Sequence, residues 1–132
     1  MAFSERRLSI PADLRRLPEA RQFAAEASAA YGFDEGEQYQ IKLAMNEAVA
    51  NAVEHGSSSA EETVDLSAAE EEGGLAFYIR DGGTFVPRVA PRGDLPERGR
   101  GLAFMSQLMD DVDVRPGSEG TTVRFSKRLA AG

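Results

Sequence analysis

Glu47-Ala48-Val49-Ala50-Asn51-Ala52-Val53-Glu54-His55-Gly56 is the stretch on which the reading of this chain turns. On a helix of 3.6 residues per turn, Glu47 and Asn51 lie one turn apart on one face, with Glu54 and His55 close to the same stripe. Apolar residues flank that stripe: Ile41, Ala44 and Ala48 on one edge, Leu43 and Ala50 on the other. Lys42 and Asn46 form a separate polar edge that can meet solvent. A carboxylate and an amide among core-facing positions need a reason, because leaving such groups buried and unpaired costs about 1–3 kcal/mol. Two readings stay open on these residues alone. One is an internal hydrogen-bonded pair or simple exposure; the other is a pocket with a general base and a metal ligand, where amide and carboxylate oxygens suit Mg2+.

Working outward, the helix that carries this stretch is expected to start after Asp34 and run to about His55, ended by Gly56 and Ser57-Ser58-Ser59. Before it, residues 3–10 read as a first strand at an edge, stopped by Pro11. Asp13 can then cap a helix whose seam is Leu17, Ala20, Ala24, Ala27 and Tyr31, with Gly32 at its C-terminal end and Pro18 near its first turn. After the decisive helix, residues 61–71 and 75–81 alternate apolar and polar around Glu72-Gly73-Gly74, which predicts a hairpin. Residues 82–101 are rich in glycine, proline and arginine and lack a period, a length without structure that usually marks a functional loop or lid. A helix with Leu102, Met105 and Met109 on one face follows. Two closing strands, residues 112–115 and 121–126, are expected to turn at Pro116-Gly117. This order predicts an α+β fold: a two-layer sandwich with a mixed, mostly antiparallel sheet and helices on one face.

Length and composition bound the function. With 132 residues, the chain has room for one core, so residues 1–132 are read as a single domain. No cysteine is present, which removes disulfides, thiolate nucleophiles and cysteine-based metal sites. Fifteen Lys and Arg against 22 Asp and Glu give a net charge of −7, the wrong sign for direct nucleic-acid binding. No stretch approaches the roughly 20 apolar residues of a membrane span, and residues 1–10 lack the apolar centre of a signal peptide, so a cytoplasmic protein is expected. One histidine, His55, rules out a multi-histidine metal site, and near a helix end it reads as a capping or packing residue.

Two further segments carry candidate chemistry. Asp81-Gly82-Gly83-Thr84-Phe85 follows a strand; it is either a tight turn or an acceptor carboxylate with glycines that let a flat base approach the backbone. Gly99-Arg100-Gly101-Leu102 opens a helix, where backbone N–H groups and the helix dipole favour phosphate and Arg100 adds a planar donor. Five arginines against three acids between residues 80 and 101, Arg80 included, make a small positive island in an acidic protein. Neither a P-loop nor a Rossmann glycine fingerprint is present.

Taken in order, the segments at residues 47–56, 81–85 and 99–105 resemble the N box and the two glycine boxes of the Bergerat-type (GHKL) ATP-binding fold. Gly120-Thr121-Thr122-Val123 resembles its last-strand motif. Within that superfamily the short chain resembles the anti-sigma factor serine/threonine kinases of bacterial partner switches. The resemblance implies ATP and Mg2+ as cofactors, with Asn51 as the metal ligand, Asp81 accepting the adenine amino group, and Gly83 letting the ring approach. Thr121, rather than Thr122, would hold adenine; Gly99, Arg100, Gly101 and Leu102 would hold phosphates beneath a lid of residues 86–98. Glu47 would orient or deprotonate the substrate hydroxyl. A sigma factor and an anti-anti-sigma antagonist are the implied partners, with a homodimer. The first glycine box lacks the later glycine usual in sensor histidine kinases, which fits the short branch. Two other functions stay open: an ATP-gated binding module without transfer, and a detached histidine-kinase-type ATPase domain.

Overall fold

The structure, a computed structural model, describes residues 3–56, 62–81, 105–117 and 120–129. Among the described residues five strands form one sheet: β1 (Arg6–Pro11), β2 (Thr63–Glu71), β3 (Gly74–Asp81), β4 (Asp111–Gly117) and β5 (Gly120–Arg128), in the order β1-β2-β3-β5-β4. Every described pairing is antiparallel, so the expected mixture of directions resolves to a purely antiparallel sheet. The helices α1 (Leu17–Tyr31) and α2 (Glu35–Asn51) pack on each other, and their buried residues join one core with those of the sheet. No described helix is long and apolar enough to cross a membrane.

Alternation decides which side of each strand meets the helices. Val64, Leu66 and Ala68 of β2 and Leu75, Phe77 and Ile79 of β3 are all buried, and Phe125 of β5 lies opposite Phe77 in the register. The Phe77 and Phe125 rings stack at 5.1 Å, and Phe23 of α1 meets Phe77 edge-on at 6.5 Å, joining helix layer to sheet. Such aromatic pairs are worth about 0.5–1.5 kcal/mol beyond the area they bury. On the uncovered side of the sheet, Arg124 donates to Glu71 at 2.8 Å and to Asp111 at 3.0 Å, while Tyr78 donates to Glu71.

Local chemistry explains the ends. Asp13 caps a 3-10 turn, Leu14–Arg16, rather than α1 itself, because Pro18 lies in the first turn of α1 and the regular helix starts beside it. Gly32 ends α1 in the left-handed conformation, and Asp34 and Glu37 form a reciprocal capping box on α2. Glu72 and Gly73 turn the β2–β3 hairpin with φ of 51° and 78°, the positive pair a type I′ turn demands. Gly74, expected in the turn, is already in the strand, so β3 starts one residue earlier than expected. The closing hairpin also differs: Pro116 and Gly117 are paired with Thr121 and Gly120 inside the ladder, so the chain reverses beyond them. Pro116 is tolerated because β4 is an edge strand. Residues 105–108 are helical, with Met105 and Met109 buried as expected, whereas Leu102 lies outside the described residues.

Two stability measurements test this account. A Cβ at Gly74 would stand 2.5 Å from the Lys127 carbonyl oxygen and 2.9 Å from the Arg128 Cα, both backbone atoms. Gly74→Ala is therefore expected to lower unfolding stability in urea by about 1–3 kcal/mol through overpacking. Glu71 is held below its ordinary value of 4.5 by the Tyr78 hydroxyl first and the Arg124 guanidinium next. Its contribution is thus present above that ordinary value and lost as pH falls through the lower, folded one. Urea midpoints taken from pH 6 downward should drop less steeply in Glu71→Gln than in the wild type.

Candidate functional site

Asp81 ends β3 with the same parity as Leu75, Phe77 and Ile79, so its carboxylate turns to the covered side and is only 3 % exposed. β5 runs antiparallel with Arg80 opposite Thr122, which brings Thr121 alongside Asp81. The Thr121 backbone N–H points at Asp81 Oδ1 over a long 3.5 Å, and Asp81 makes further interactions besides. The Thr121 hydroxyl is buried and has no hydrogen-bond partner among the described residues. Thr122, one residue on, faces the uncovered side and lines a groove with Ser9, Ser67 and Tyr78. The pair Asp81 and Thr121 therefore holds an acceptor and an unspent hydroxyl at one end of the sheet.

The decisive helix comes to the same end. β1 finishes, β2 starts and β3 finishes there, since Pro11 pairs with Thr63 and Val64 with Asp81. Glu62 also accepts a hydrogen bond from the Ala12 N–H at 2.8 Å. After Asn51 the helix does not stop but widens into a π turn, Ala52–Gly56, that packs on β3 and β5. Such turns are rare and concentrate at functional sites. Apolar periodicity carries no sign of this widening, because it falls in the last turn, where no further described turn of the same helix follows to be shifted out of phase.

Glu47 and Asn51 are half-buried. Among the described residues, no hydrogen bond or ion pair engages either side chain. The core seam of α2 is Ile41, Ala44, Met45, Ala48 and Val49, so Glu47 and Asn51 run along its flank rather than within it. Leu43 and Ala50, expected as a second core edge, are only half-buried and border the solvent side. Asn46 is not left to solvent: Arg21 of α1 donates to its Oδ1 at 2.8 Å. The expected positive island loses one member, since Arg80 lines the groove on the uncovered side, away from Asp81. Gly83, Gly99, Arg100, Gly101 and Leu102, with the lid at residues 86–98, lie outside the described residues, as does the His55 side chain.

The donor set fits a purine nucleotide. A buried carboxylate can accept an exocyclic amino group, and the orphaned Thr121 hydroxyl can serve a ring nitrogen, a role that repays its desolvation. The amide oxygen of Asn51 suits Mg2+. Among the described residues there is no group of three His, Cys, Asp or Glu that could hold a metal ion.

The sequence pattern of the histidine kinase-like ATPase domain matches residues 10–127. The chain belongs to that family. Among its relatives is the anti-sigma F factor of Bacillus subtilis, 33 % identical over 101 residues that cover 69 % of each chain. The anti-sigma F factor of Bacillus thuringiensis is 34 % identical over the same length. The fold is similar to the structure of the RsbU and RsbW domains of Rv1364c from Mycobacterium tuberculosis, with a TM-score of 0.72 and 25 % identity. That match covers 96 % of this chain and 32 % of the other, so this chain spans about a third of it. The histidine kinase domain of the Erythrobacter litoralis blue-light activated histidine kinase shares the fold at a TM-score of 0.60. For an ATPase domain of this family, ATP is the nucleotide the site implies.

The unspent hydroxyl supplies a test that separates ligand binding from folding. Thr121→Val removes a buried, unsatisfied oxygen while keeping shape, so the unfolding midpoint should hold or rise. ATP affinity by titration calorimetry should fall about tenfold, the scale of one lost hydrogen bond of about 1.4 kcal/mol.

Proposed function

We propose that this chain is an anti-sigma factor serine/threonine protein kinase: it sequesters a sigma factor and uses Mg-ATP to phosphorylate an anti-anti-sigma antagonist, which the modification releases. The observation that carries this reading is the buried Asp81 carboxylate beside a Thr121 hydroxyl with no partner among the described residues, on the two strands that the π turn after Asn51 packs against. Kinship with proteins named anti-sigma F factor supports the choice of partners. Such a switch works in the cytoplasm, with the chain as a homodimer.

Each residue then has a task. Asp81 accepts the adenine amino group, Thr121 meets the ring through its hydroxyl or a water, and Gly83 lets the base lie close to the backbone. Gly99, Arg100, Gly101 and Leu102 hold the phosphate oxygens through backbone N–H groups and one guanidinium. Asn51 contributes the protein's oxygen to Mg2+. Bound Mg-ATP supplies the phosphoryl group to be transferred. Glu47 holds the incoming serine or threonine hydroxyl and takes its proton. Phosphoryl transfer asks mostly for positioning and charge neutralisation, which is why so small a set suffices.

Glu47→Ala tests the assignment because it touches the proton and not the nucleotide. Transfer to the antagonist, followed with labelled ATP, should fall about 10²–10⁴-fold while ATP affinity holds. Undiminished transfer would remove Glu47 from the chemistry. A wild type that binds antagonist and ATP yet transfers nothing would leave a nucleotide-gated binding module instead.

A further inference from the structure

The outward side of α2 carries one feature that nucleotide binding does not use. Tyr39 is 60 % exposed, the most exposed large hydrophobic side chain among the described residues. Tyr39, Leu43 and Glu47 stand at i, i+4 and i+8, a single row along the helix surface, with half-buried Ala50 beside its far end. Burying an aromatic ring and a leucine against a partner is the usual source of interface energy, and tyrosine is enriched at such anchor points. The surroundings are net acidic: Glu35, Glu47 and Glu54 lie on α2 and its π turn, against Lys42 of α2 and the Arg21 of α1 that donates to Asn46. A partner that fits this face offers an apolar side chain ringed by Lys or Arg.

We infer that the row Tyr39–Leu43 is the docking surface for the protein substrate, and that it sets how the acceptor hydroxyl reaches Glu47. This rests on the kinase reading above. Continuity is the reason for choosing the substrate as occupant, because a protein seated on Tyr39 and Leu43 extends directly over Glu47. At a rise of 1.5 Å per residue, eight residues separate Tyr39 from Glu47 by about 12 Å. The matching partner therefore carries its apolar anchor about 12 Å from the serine or threonine to be modified, on a surface with a basic rim. Remote binding of this kind positions the acceptor without touching the reacting atoms.

The test uses the whole chain and its purified antagonist. Tyr39→Ala, at an exposed position, should raise KM for the antagonist about tenfold or more, the cost expected of a truncated anchor. ATP affinity and kcat at saturating antagonist should stay within about twofold. Leu129→Ala, an exposed apolar position elsewhere, should leave KM unchanged. A photo-cross-linking amino acid at position 39 should capture the antagonist through residues near its acceptor hydroxyl. Unchanged KM in Tyr39→Ala, with wild-type transfer intact, overturns the docking row and leaves the kinase reading standing. If the wild type transfers no phosphate, the kinase reading falls, and cross-linking still decides the surface: capture of bound antagonist supports it. Binding without capture, or no binding at all, overturns it.

Discussion

Strand parity across the Phe77–Phe125 pair is the constraint on which the rest depends. The two rings stack on the covered side of neighbouring central strands and take Phe23 of α1 edge-on. Once that side is committed to the helices, every second residue of β3 and β5 must follow, and a slip of one position would turn the whole set outward. Asp81 and Thr121 inherit their inward direction from this. They are polar residues in apolar positions, held there because the strands they end are fixed by the residues before them. A carboxylate and a hydroxyl would not choose burial on their own account.

Sequence patterns carried far in this molecule wherever the physics was local. The alternation in β2 and β3, the Glu72-Gly73 turn, the Gly32 stop and the Asp34 cap each depend on residues within a few positions, and each stands where its chemistry places it. The seam of α1 was likewise readable, since Ala20, Ala24 and Ala27 repeat on one helical face and are fully buried. Strand alternation alone required Thr121 and Thr122 to face opposite sides, and they do.

Where the reading slipped, long-range packing had intervened. Leu43 and Ala50 looked like core on a helical wheel, yet the wheel cannot say where a neighbouring layer ends, and α2 meets the sheet along a narrower seam. Asn46 looked free until Arg21, 25 positions earlier, arrived across the α1–α2 contact. Arg80 counted toward a positive island in linear sequence, although its parity turns it to the opposite side of the sheet from Asp81. Pro116-Gly117 carried turn chemistry, but pairing with β5 extends through them.

The chain's own pattern thus settled its element types, their order, and the residue chemistry available at the candidate site. These are consequences of backbone propensity, capping and periodicity, which act over a turn or two of chain. Assembly settled the proximity of Asp81 and Thr121, 40 positions apart, the leftover hydroxyl between them, the π turn beside them, and the bare face of Tyr39. Each of those depends on what another segment covers or fails to cover, and burial is a property of the packed layers rather than of any one of them.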